Sequence, residues 1–183
     1  MSENLLEIRH LKKYYSSGKG QVKALDGVDL SVKEGELVSI VGESGCGKST
    51  LARCLIGLEK RTEGEIWFEG KEISSYSKEQ LRPVRRRMQM VFQSPYGAFN
   101  PRHTLGAGLN ETAKFYGLNR DEAKERLSTL MSYIKMDEEL LSHYPDELSG
   151  GQLQRLAIAR ALIARPALLF AGEPVSALGV SVQ

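Results

Sequence analysis

The residues Gly42 to Thr50, GESGCGKST, have the composition and spacing of a loop that holds a polyphosphate. They fit the pattern G-x-x-x-x-G-K-[ST], in which glycines let backbone N–H groups point inward at the phosphate oxygens. A helix is predicted to follow, and its N-terminal end adds partial positive charge at the same place. The predicted binding residues are Gly42, Glu43, Ser44, Gly45, Cys46, Gly47, Lys48, Ser49 and Thr50.

Two side chains of this loop carry chemistry of their own. The ammonium group of Lys48 is expected to reach the β- and γ-phosphates, and the hydroxyl group of Ser49 is expected to bind Mg²⁺. A glycine-rich turn before a helix is the alternative interpretation. The agreement between a predicted strand before the loop, the Lys-Ser pair and a predicted helix after it favours the phosphate site.

A second glycine cluster, LSGGQLQR, begins another predicted helix. Ser149 is followed three residues later by Gln152, which matches a capping box at a helix N-terminus. Gly150 and Gly151 lie in the first turn, although glycine costs a helix interior about 1 kcal/mol per residue. A site where the backbone must approach an anion would explain them. Taken alone, this segment is equally consistent with a capped helix and with an anion site.

Alternating and β-branched segments predict the strands that position these loops. The segments LLEIRHL and ALDGVDLSV alternate polar and apolar residues, as strands of an antiparallel sheet do. The segment GEIWFEGKEI predicts a further strand and a turn. Short apolar runs predict buried strands at ELVSIVG (36–42), MQMVF (88–92) and ALLFAG (167–172).

Helical periodicity predicts a helix directly after the phosphate loop, over 50–60. One face of this helix would carry Leu51, Cys54, Leu55 and Leu58. A second helix is predicted over 78–87, with a boundary near Pro83, because proline lacks the backbone N–H that a helix interior uses.

Later segments are predicted to be mostly helical. An amphipathic helix over 119–136 has Asn119 or Asp121 as its candidate cap. The segment GGQLQRLAIARALIAR predicts a strong helix that ends before Pro166. We interpret about 94–147 as a helical insertion. The alternation of strands and helices around it predicts a mainly parallel α/β sheet.

The bulk composition is that of an ordinary soluble globular protein. The 183 residues are 41% hydrophobic and 26% charged, and the net charge of +2 argues neither for nor against binding of nucleic acid. The basic run RPVRRR (82–87) is interpreted as a solvated helix face. No apolar run approaches the ~20 residues that cross a bilayer, and the two cysteines suggest a reducing compartment.

Taken together, the two glycine clusters make the sequence resemble the ATP-binding cassette (ABC) ATPases. The resemblance rests on GESGCGKST, Gln93 in VFQSP, LSGGQLQR and ALLFAGEPVSAL, and it covers essentially the whole chain. The segment FQSPYGAFNPR further resembles the subfamily that serves dipeptide, oligopeptide and nickel importers. The resemblance implies an α/β P-loop NTPase fold with a mainly parallel core, an N-terminal antiparallel β subdomain and an inserted helical subdomain (about 94–147). It implies one ABC ATPase domain over 1–183, incomplete at its C-terminal end.

The resemblance also implies how ATP is held. In this family ATP lies between two cassettes arranged head to tail, so the signature residues would contact the γ-phosphate bound to a partner chain. These residues are Ser149, Gly150, Gly151 and Gln152. An aromatic residue before the first glycine cluster stacks on adenine. Tyr15 matches that position best, Tyr14 is the alternative, and ordinary strand-end packing remains open for the pair.

Three residues are implied to act in hydrolysis. Gln93 matches the glutamine that touches Mg²⁺ or the attacking water, and Glu173 matches the glutamate that polarises this water. Together with Lys48 they form the implied catalytic set, while Ser49 and Gln93 are the implied metal ligands. Phosphoryl transfer mainly requires positioning and neutralisation of charge, which such a set supplies.

The sequence departs from the family pattern in two respects. Gly172 and Gly179 stand where the family has aspartates, and a carboxylate at the first position would help to place Mg²⁺. The family also has a γ-phosphate-sensing histidine some thirty residues beyond the glutamate. No histidine of this chain matches it; they are His10, His103 and His143. These departures suggest a truncated cassette and support a second hypothesis, a nucleotide-binding module with little or no turnover.

The main hypothesis is an ATP-binding and ATP-hydrolysing subunit of an ABC importer for peptides or a related solute. It would convert ATP and water to ADP and phosphate, with ATP and Mg²⁺ as cofactors. Its expected partners are transmembrane permease subunits, a second ABC cassette and, indirectly, a solute-binding protein, with no nucleic acid. The expected location is peripheral, at the cytoplasmic face of the cell membrane.

Overall fold

The computed structural model describes residues 4–18, 20–92 and 94–172. The chain divides into two compact units, Met1–Arg85 and Arg86–Gln183. The described strands are β1 (Asn4–Ser17), β2 (Gly20–Lys33), β3 (Glu63–Phe68), β4 (Lys71–Glu72), β5 (Met88–Val91) and β6 (Leu168–Ala171). The described α-helices are α1 (Lys48–Leu55), α2 (Lys78–Arg87), α3 (Leu105–Phe115), α4 (Arg120–Tyr133) and α5 (Gly150–Leu162). Short 3-10 helices lie at Pro95–Ala98, Glu138–Ser142 and Pro145–Glu147.

The first unit is built on an antiparallel sheet. Within the described residues its strand order is β2-β1-β3-β4. Strands β1 and β2 are 14 residues each and pair antiparallel from Asn4 opposite Lys33 to Ser17 opposite Gly20. Apolar side chains from one side of these strands form a buried core that includes Leu6, Ile8, Leu11, Leu25 and Val32. The predicted antiparallel β subdomain is therefore confirmed.

The prediction of a buried strand over 36–42 is wrong. None of the described strands pairs with this segment, and it has no regular secondary structure. Leu37 and Val41 are 94% and 92% exposed. A β-strand is stabilised by hydrogen bonds to a neighbouring strand, so β-branched composition alone does not create one.

Helix α1, and helix α2, which begins in the first unit, differ in detail from their predictions. Helix α1 buries Leu51, Cys54 and Leu55 as expected, but it ends at Leu55, and Leu58 is 53% exposed instead of lying on the buried face. The backbone turns away at Gly57, whose φ of +67° a helix cannot contain. The apolar periodicity of the sequence therefore extended beyond the real helix end.

Helix α2 runs through Pro83 without ending there, contrary to the predicted boundary. Packing on both sides of the proline holds it together. Leu81 is buried before it, and after it the guanidinium group of Arg85 donates to the carbonyls of Ile56 (2.9 Å) and Gly57 (2.8 Å), just beyond α1. The interpretation of 82–87 as a solvated face is therefore wrong for Arg85, which is half-buried.

The second unit combines a parallel strand pair with helices. Strands β5 and β6 pair in parallel from Met88 opposite Leu168 to Val91 opposite Ala171, and the described elements between them are helical. A buried cluster joins α3, α4 and α5 to this pair, with Leu105, Leu109, Leu127, Leu130, Met131, Leu153 and Leu156 among its members. The predicted α/β class with a parallel sheet is thus confirmed, although the described parallel sheet has two strands.

Side chains cap the helices of the second unit. Thr104 caps α3, and Asn119, not Asp121, caps α4 through a capping box with Glu122.

Among the described residues, no helix combines the length and apolar character that crossing a membrane requires.

Candidate nucleotide-binding site

The phosphate loop is fixed at its junction with α1 by a close contact to the sheet. Gly47 has a φ of +98°, a left-handed conformation that favours glycine. A Cβ atom on Gly47 would lie 2.4 Å from the carbonyl oxygen of Ala24 on β2. Ala24 is an extra residue in β2, opposite the step from Lys13 to Tyr14 in β1. The loop can therefore reach the sheet only because residue 47 has no side chain.

The N-terminal end of α1 differs from those of the later helices. Its N-cap residue is Gly47, and no side chain caps it, whereas Thr104, Asn119 and Ser149 cap α3, α4 and α5. A helix N-terminus leaves backbone N–H groups that need partners, and it carries partial positive charge. The uncapped end of α1 therefore suits a phosphate group, together with the glycine-rich turn that precedes it.

The ammonium group of Lys48 lies inside the loop. Its Nζ atom donates to the carbonyl oxygens of Gly42 (2.6 Å) and Glu43 (2.7 Å) and to Sγ of Cys46 (3.4 Å). These three contacts match the three donors of an ammonium group. The positive charge is thus placed where the backbone of the loop converges.

Ser49 is the described residue that fits a bound Mg²⁺. Its side chain is exposed on the first turn of α1, directly after Lys48. A hydroxyl oxygen is a ligand that this hard cation accepts together with phosphate oxygens and water. Elsewhere in the described residues, His, Cys, Asp and Glu side chains form no group of three or more that would hold a metal ion. The second predicted ligand, Gln93, lies outside the described residues.

The two tyrosines proposed for the base have different surroundings. The hydroxyl group of Tyr14 donates to the carboxylate of Asp26, and this bond raises the pKa of Tyr14. Tyr15 is 37% exposed, and Nζ of Lys13 lies 4.5 Å from the centroid of its ring. Because the hydroxyl group of Tyr14 is hydrogen-bonded to Asp26, these contacts favour Tyr15 as the residue that stacks on adenine. This role of Tyr15 stays a prediction.

The signature segment forms the predicted capping box. The backbone N–H of Gln152 donates to Oγ of Ser149 (3.3 Å), and the backbone N–H of Ser149 donates to Oε1 of Gln152 (2.9 Å). Gly150 and Gly151 begin α5, and a Cβ atom on Gly150 would come no closer than 4.0 Å to the hydroxyl of Tyr96. This packing leaves room for a side chain at Gly150, so crowding within the described part of the chain does not explain the glycine.

The acidic turn is described only at its start. The N–H of Gly172 continues the parallel ladder by donating to the carbonyl oxygen of Val91 at 3.0 Å. Gly172 has no side-chain carboxylate that could bind a metal ion or its water ligands. Glu173 and Gly179 lie outside the described residues.

Two features of the structure were missed at the sequence level. Lys13 covers the ring of Tyr15, and the two-residue spacing on an alternating strand was the available signal.

In the second unit, a cavity of about 510 Å³ has a mixed lining that includes Glu111, Thr112, Phe115, Tyr116 and Arg160. No local sequence pattern marks this cavity, because its lining comes from elements far apart in the sequence. These elements are β5, the 3-10 helix Pro95–Ala98, α3 and α5.

A glycine-rich loop that opens an uncapped helix, with a lysine inside the loop, defines a nucleotide-binding protein of the phosphate-loop class. Residues 25–176 match the ABC transporter family, and the chain belongs to this family. The resemblance stated from the motifs is therefore confirmed.

The chain is similar to the ATP-binding subunits of peptide transporters. It is 47% identical to the oligopeptide transport ATP-binding protein AppF of Bacillus subtilis, over 99% of this chain and 58% of that protein. It is 44% identical to the oligopeptide transport ATP-binding protein OppF of Escherichia coli, over 98% and 57%. The di/tripeptide transport ATP-binding protein DppF of Pseudomonas aeruginosa is 43% identical, over 99% and 58%. The chain thus spans somewhat more than half the length of these relatives.

Solved structures show the same fold. The ATP-binding cassette MJ0796, determined as a dimer in a post-hydrolysis state bound to ADP and Pi, matches with a TM-score of 0.86 and 33% identity, over 94% of this chain and 75% of that chain. CbiO1 from Clostridium perfringens, part of the ABC transporter complex CbiONQ, matches with a TM-score of 0.79 and 30% identity, over 92% and 65%. The P-loop NTPase fold of ABC cassettes is therefore confirmed.

Proposed function

We propose that this protein is the ATP-binding and ATP-hydrolysing subunit of an ABC importer for peptides or a related solute. The observation that carries the proposal is the Lys48 ammonium group, held inside a glycine-rich loop at the uncapped start of α1. Family membership and the names of the peptide-transport relatives support it. They do not favour the alternative, a module without turnover, over an active ATPase.

The residues of this chain divide the work of the proposed reaction. Backbone N–H groups of the loop and of the first turn of α1 bind the phosphate oxygens, and Lys48 neutralises charge between the β- and γ-phosphates. Ser49 and Gln93 would hold Mg²⁺, which when bound neutralises negative charge on the phosphates. Glu173 is proposed to accept a hydrogen bond from the attacking water and so to orient it.

We propose the same head-to-tail dimer that the resemblance implies. The N-terminal end of α5, with Ser149, Gly150, Gly151 and Gln152, would face the γ-phosphate bound by a second cassette. The dimeric cassette structure with ADP and Pi supports this arrangement. Residues 1–183 would then belong to one cassette domain, with its helical subdomain at about 94–147.

The relatives also support the proposed partners. Because they are named as transport ATP-binding proteins, we propose that this protein binds transmembrane permease subunits from the cytoplasmic face of the membrane. A solute-binding protein would act on the same complex indirectly. The transported solute would be a peptide or a chemically related molecule.

The direct test is phosphate release by the purified protein in the presence of ATP. We expect saturable turnover that requires Mg²⁺ and stops when EDTA removes the metal, because the phosphates then lose the cation that neutralises them. A folded preparation that shows no saturable binding of labelled ATP would overturn the proposal.

Replacing Ser149 by alanine separates the role of α5 in the dimer from its helix cap. We expect Ser149→Ala and the control Asn119→Ala each to lower the free energy of unfolding by about 1 kcal/mol, because each removes a capping-box residue. Only Ser149→Ala is expected to reduce ATP-dependent dimerisation and turnover, by about 10-fold or more. Analytical ultracentrifugation with ATP and phosphate release measure the two effects. Equal losses in both variants would show that α5 contributes only stability.

A further inference from the structure

Lys13 is arranged differently from an ordinary surface lysine. It lies two residues before Tyr15 on β1, and side chains two apart on a strand point to the same side. Its Nζ atom is 4.5 Å from the centroid of the Tyr15 ring, within the range of a cation–π interaction. Its side chain is only 13% exposed. One face of the Tyr15 ring is therefore covered by a fixed positive charge.

The ammonium group of Lys13 is anchored just beyond the C-terminal end of α1. It donates to the backbone carbonyl oxygen of Lys60 at 2.8 Å and forms an ion pair with Glu59 at 3.5 Å. The backbone N–H of Glu59 in turn donates to the carbonyl oxygen of Arg53, in the last turn of α1. Lys13 thus ties the strand that carries Tyr15 to the helix that begins at the phosphate loop.

The same helix carries a buried thiol, Cys54. Burial raises the pKa of Cys54 to about 11, while the charge of Lys13 acts in the opposite direction and the charge of Glu59 adds to the rise. A second link between strand and loop is the contact of Gly47 with Ala24, described above.

We propose that Lys13 is a positioning residue for the adenine base. It fixes the plane of the Tyr15 ring relative to the phosphate loop and leaves the opposite face for the purine. A cation also draws electron density toward its own side of the ring, which lowers the repulsion between the opposite face and an electron-rich base. This inference rests on the proposed function, in which Tyr15 stacks on adenine.

The neighbouring lysine–tyrosine pair offers a matched control. Lys23 on β2 places its Nζ atom 5.4 Å from the ring of Tyr14, and it also donates to the carboxylate of Asp26 at 3.1 Å. The side chain of Lys23 is 56% exposed. The two lysines therefore share a strand pair and a cation–π contact, but only Lys13 is held on Tyr15 and anchored beyond α1.

The test compares three variants of the protein, Lys13→Met, Lys13→Arg and Lys23→Met, by isothermal titration with ATP and with inorganic tripolyphosphate. We expect Lys13→Met to weaken ATP binding about 3- to 10-fold, because methionine keeps an unbranched apolar side chain of similar length while the cation is lost. Tripolyphosphate has no base, so its affinity is expected to stay unchanged. Lys13→Arg retains the cation and should restore most of the ATP affinity, and Lys23→Met should resemble the unmodified protein.

The outcomes separate this inference from the proposed function. Equal weakening of ATP and tripolyphosphate by Lys13→Met would indicate a general structural role and overturn the inference, as would an unchanged ATP affinity. If Lys23→Met weakens ATP binding and Lys13→Met does not, the base stacks on Tyr14, and the inference is also overturned. In each of these cases the unmodified protein still binds ATP, so the proposed function stands. If the unmodified protein binds tripolyphosphate but gains nothing from the adenosine part of ATP, both fail.

Discussion

Replacing Lys48 by alanine is expected to weaken ATP binding by about 100-fold or more. The ammonium group is the charged donor already placed inside the loop, and hydrogen bonds between charged groups contribute about 1.5–3 kcal/mol each. Two such bonds, to the β- and γ-phosphates, would be lost together. Titration with labelled ATP at fixed ionic strength measures the change, since screening by salt alters the contribution of charge.

Lys71→Ala is the control for this prediction. Lys71 is an exposed lysine on β4 in the same unit, so its removal changes the net charge equally without touching the loop. Its ATP affinity should match that of the unmodified protein. If Lys48→Ala binds ATP as tightly as Lys71→Ala does, the assignment of the phosphate loop is wrong.

Replacing Gly47 by alanine is expected to lower the free energy of unfolding by about 2–5 kcal/mol and to abolish tight ATP binding. The φ of +98° costs an L-residue about 1–2 kcal/mol, and the added Cβ atom would lie 2.4 Å from the backbone carbonyl oxygen of Ala24. A backbone atom cannot rotate aside as a side chain can. The start of α1 must therefore move away from β2, and the loop amides move with it. Urea unfolding followed by the fluorescence of Trp67, the single tryptophan of the chain, measures the stability.

Gly35→Ala separates backbone strain from the steric clash. Gly35 also has a positive φ, +73°, but no atom lies within 4 Å of an added Cβ. This variant should lose about 1–2 kcal/mol and keep its affinity for ATP. Similar losses of stability in the two variants, with ATP binding retained in Gly47→Ala, would show that the contact with Ala24 does not shape the loop.

Local patterns predicted those parts of the structure whose stabilising partners lie nearby in the sequence. The capping box of Ser149 and Gln152 spans four residues, and the alternation in β1 and β2 joins strands separated by a short turn. Their hydrogen-bond partners are determined within a few residues or by one turn. The phosphate loop could be proposed from the sequence for the same reason, because its glycines, lysine and hydroxyl are consecutive.

The predictions that were wrong concern contacts between residues far apart in the sequence. The segment 36–42 has the composition of a buried strand, but a strand also needs a neighbour, which local composition cannot supply. Helix α2 passes through Pro83 because Arg85 is held by carbonyl groups near residue 57. In both cases the outcome depends on what lies against the segment in space.

The sequence by itself determined the family, the class of ligand and most of the residues proposed to bind it, because a polyphosphate site is built from a short consecutive loop. Only the tertiary structure decided between Tyr14 and Tyr15 as the better candidate for the base, since Asp26 and Lys13 distinguish two adjacent residues of the same type. The tertiary structure also gave a second reason, besides the backbone conformation, why residue 47 is glycine. The carbonyl oxygen of Ala24, 23 residues earlier in the chain, leaves no room for a Cβ atom there. Spatial neighbours set both results, and no single segment of sequence specifies them.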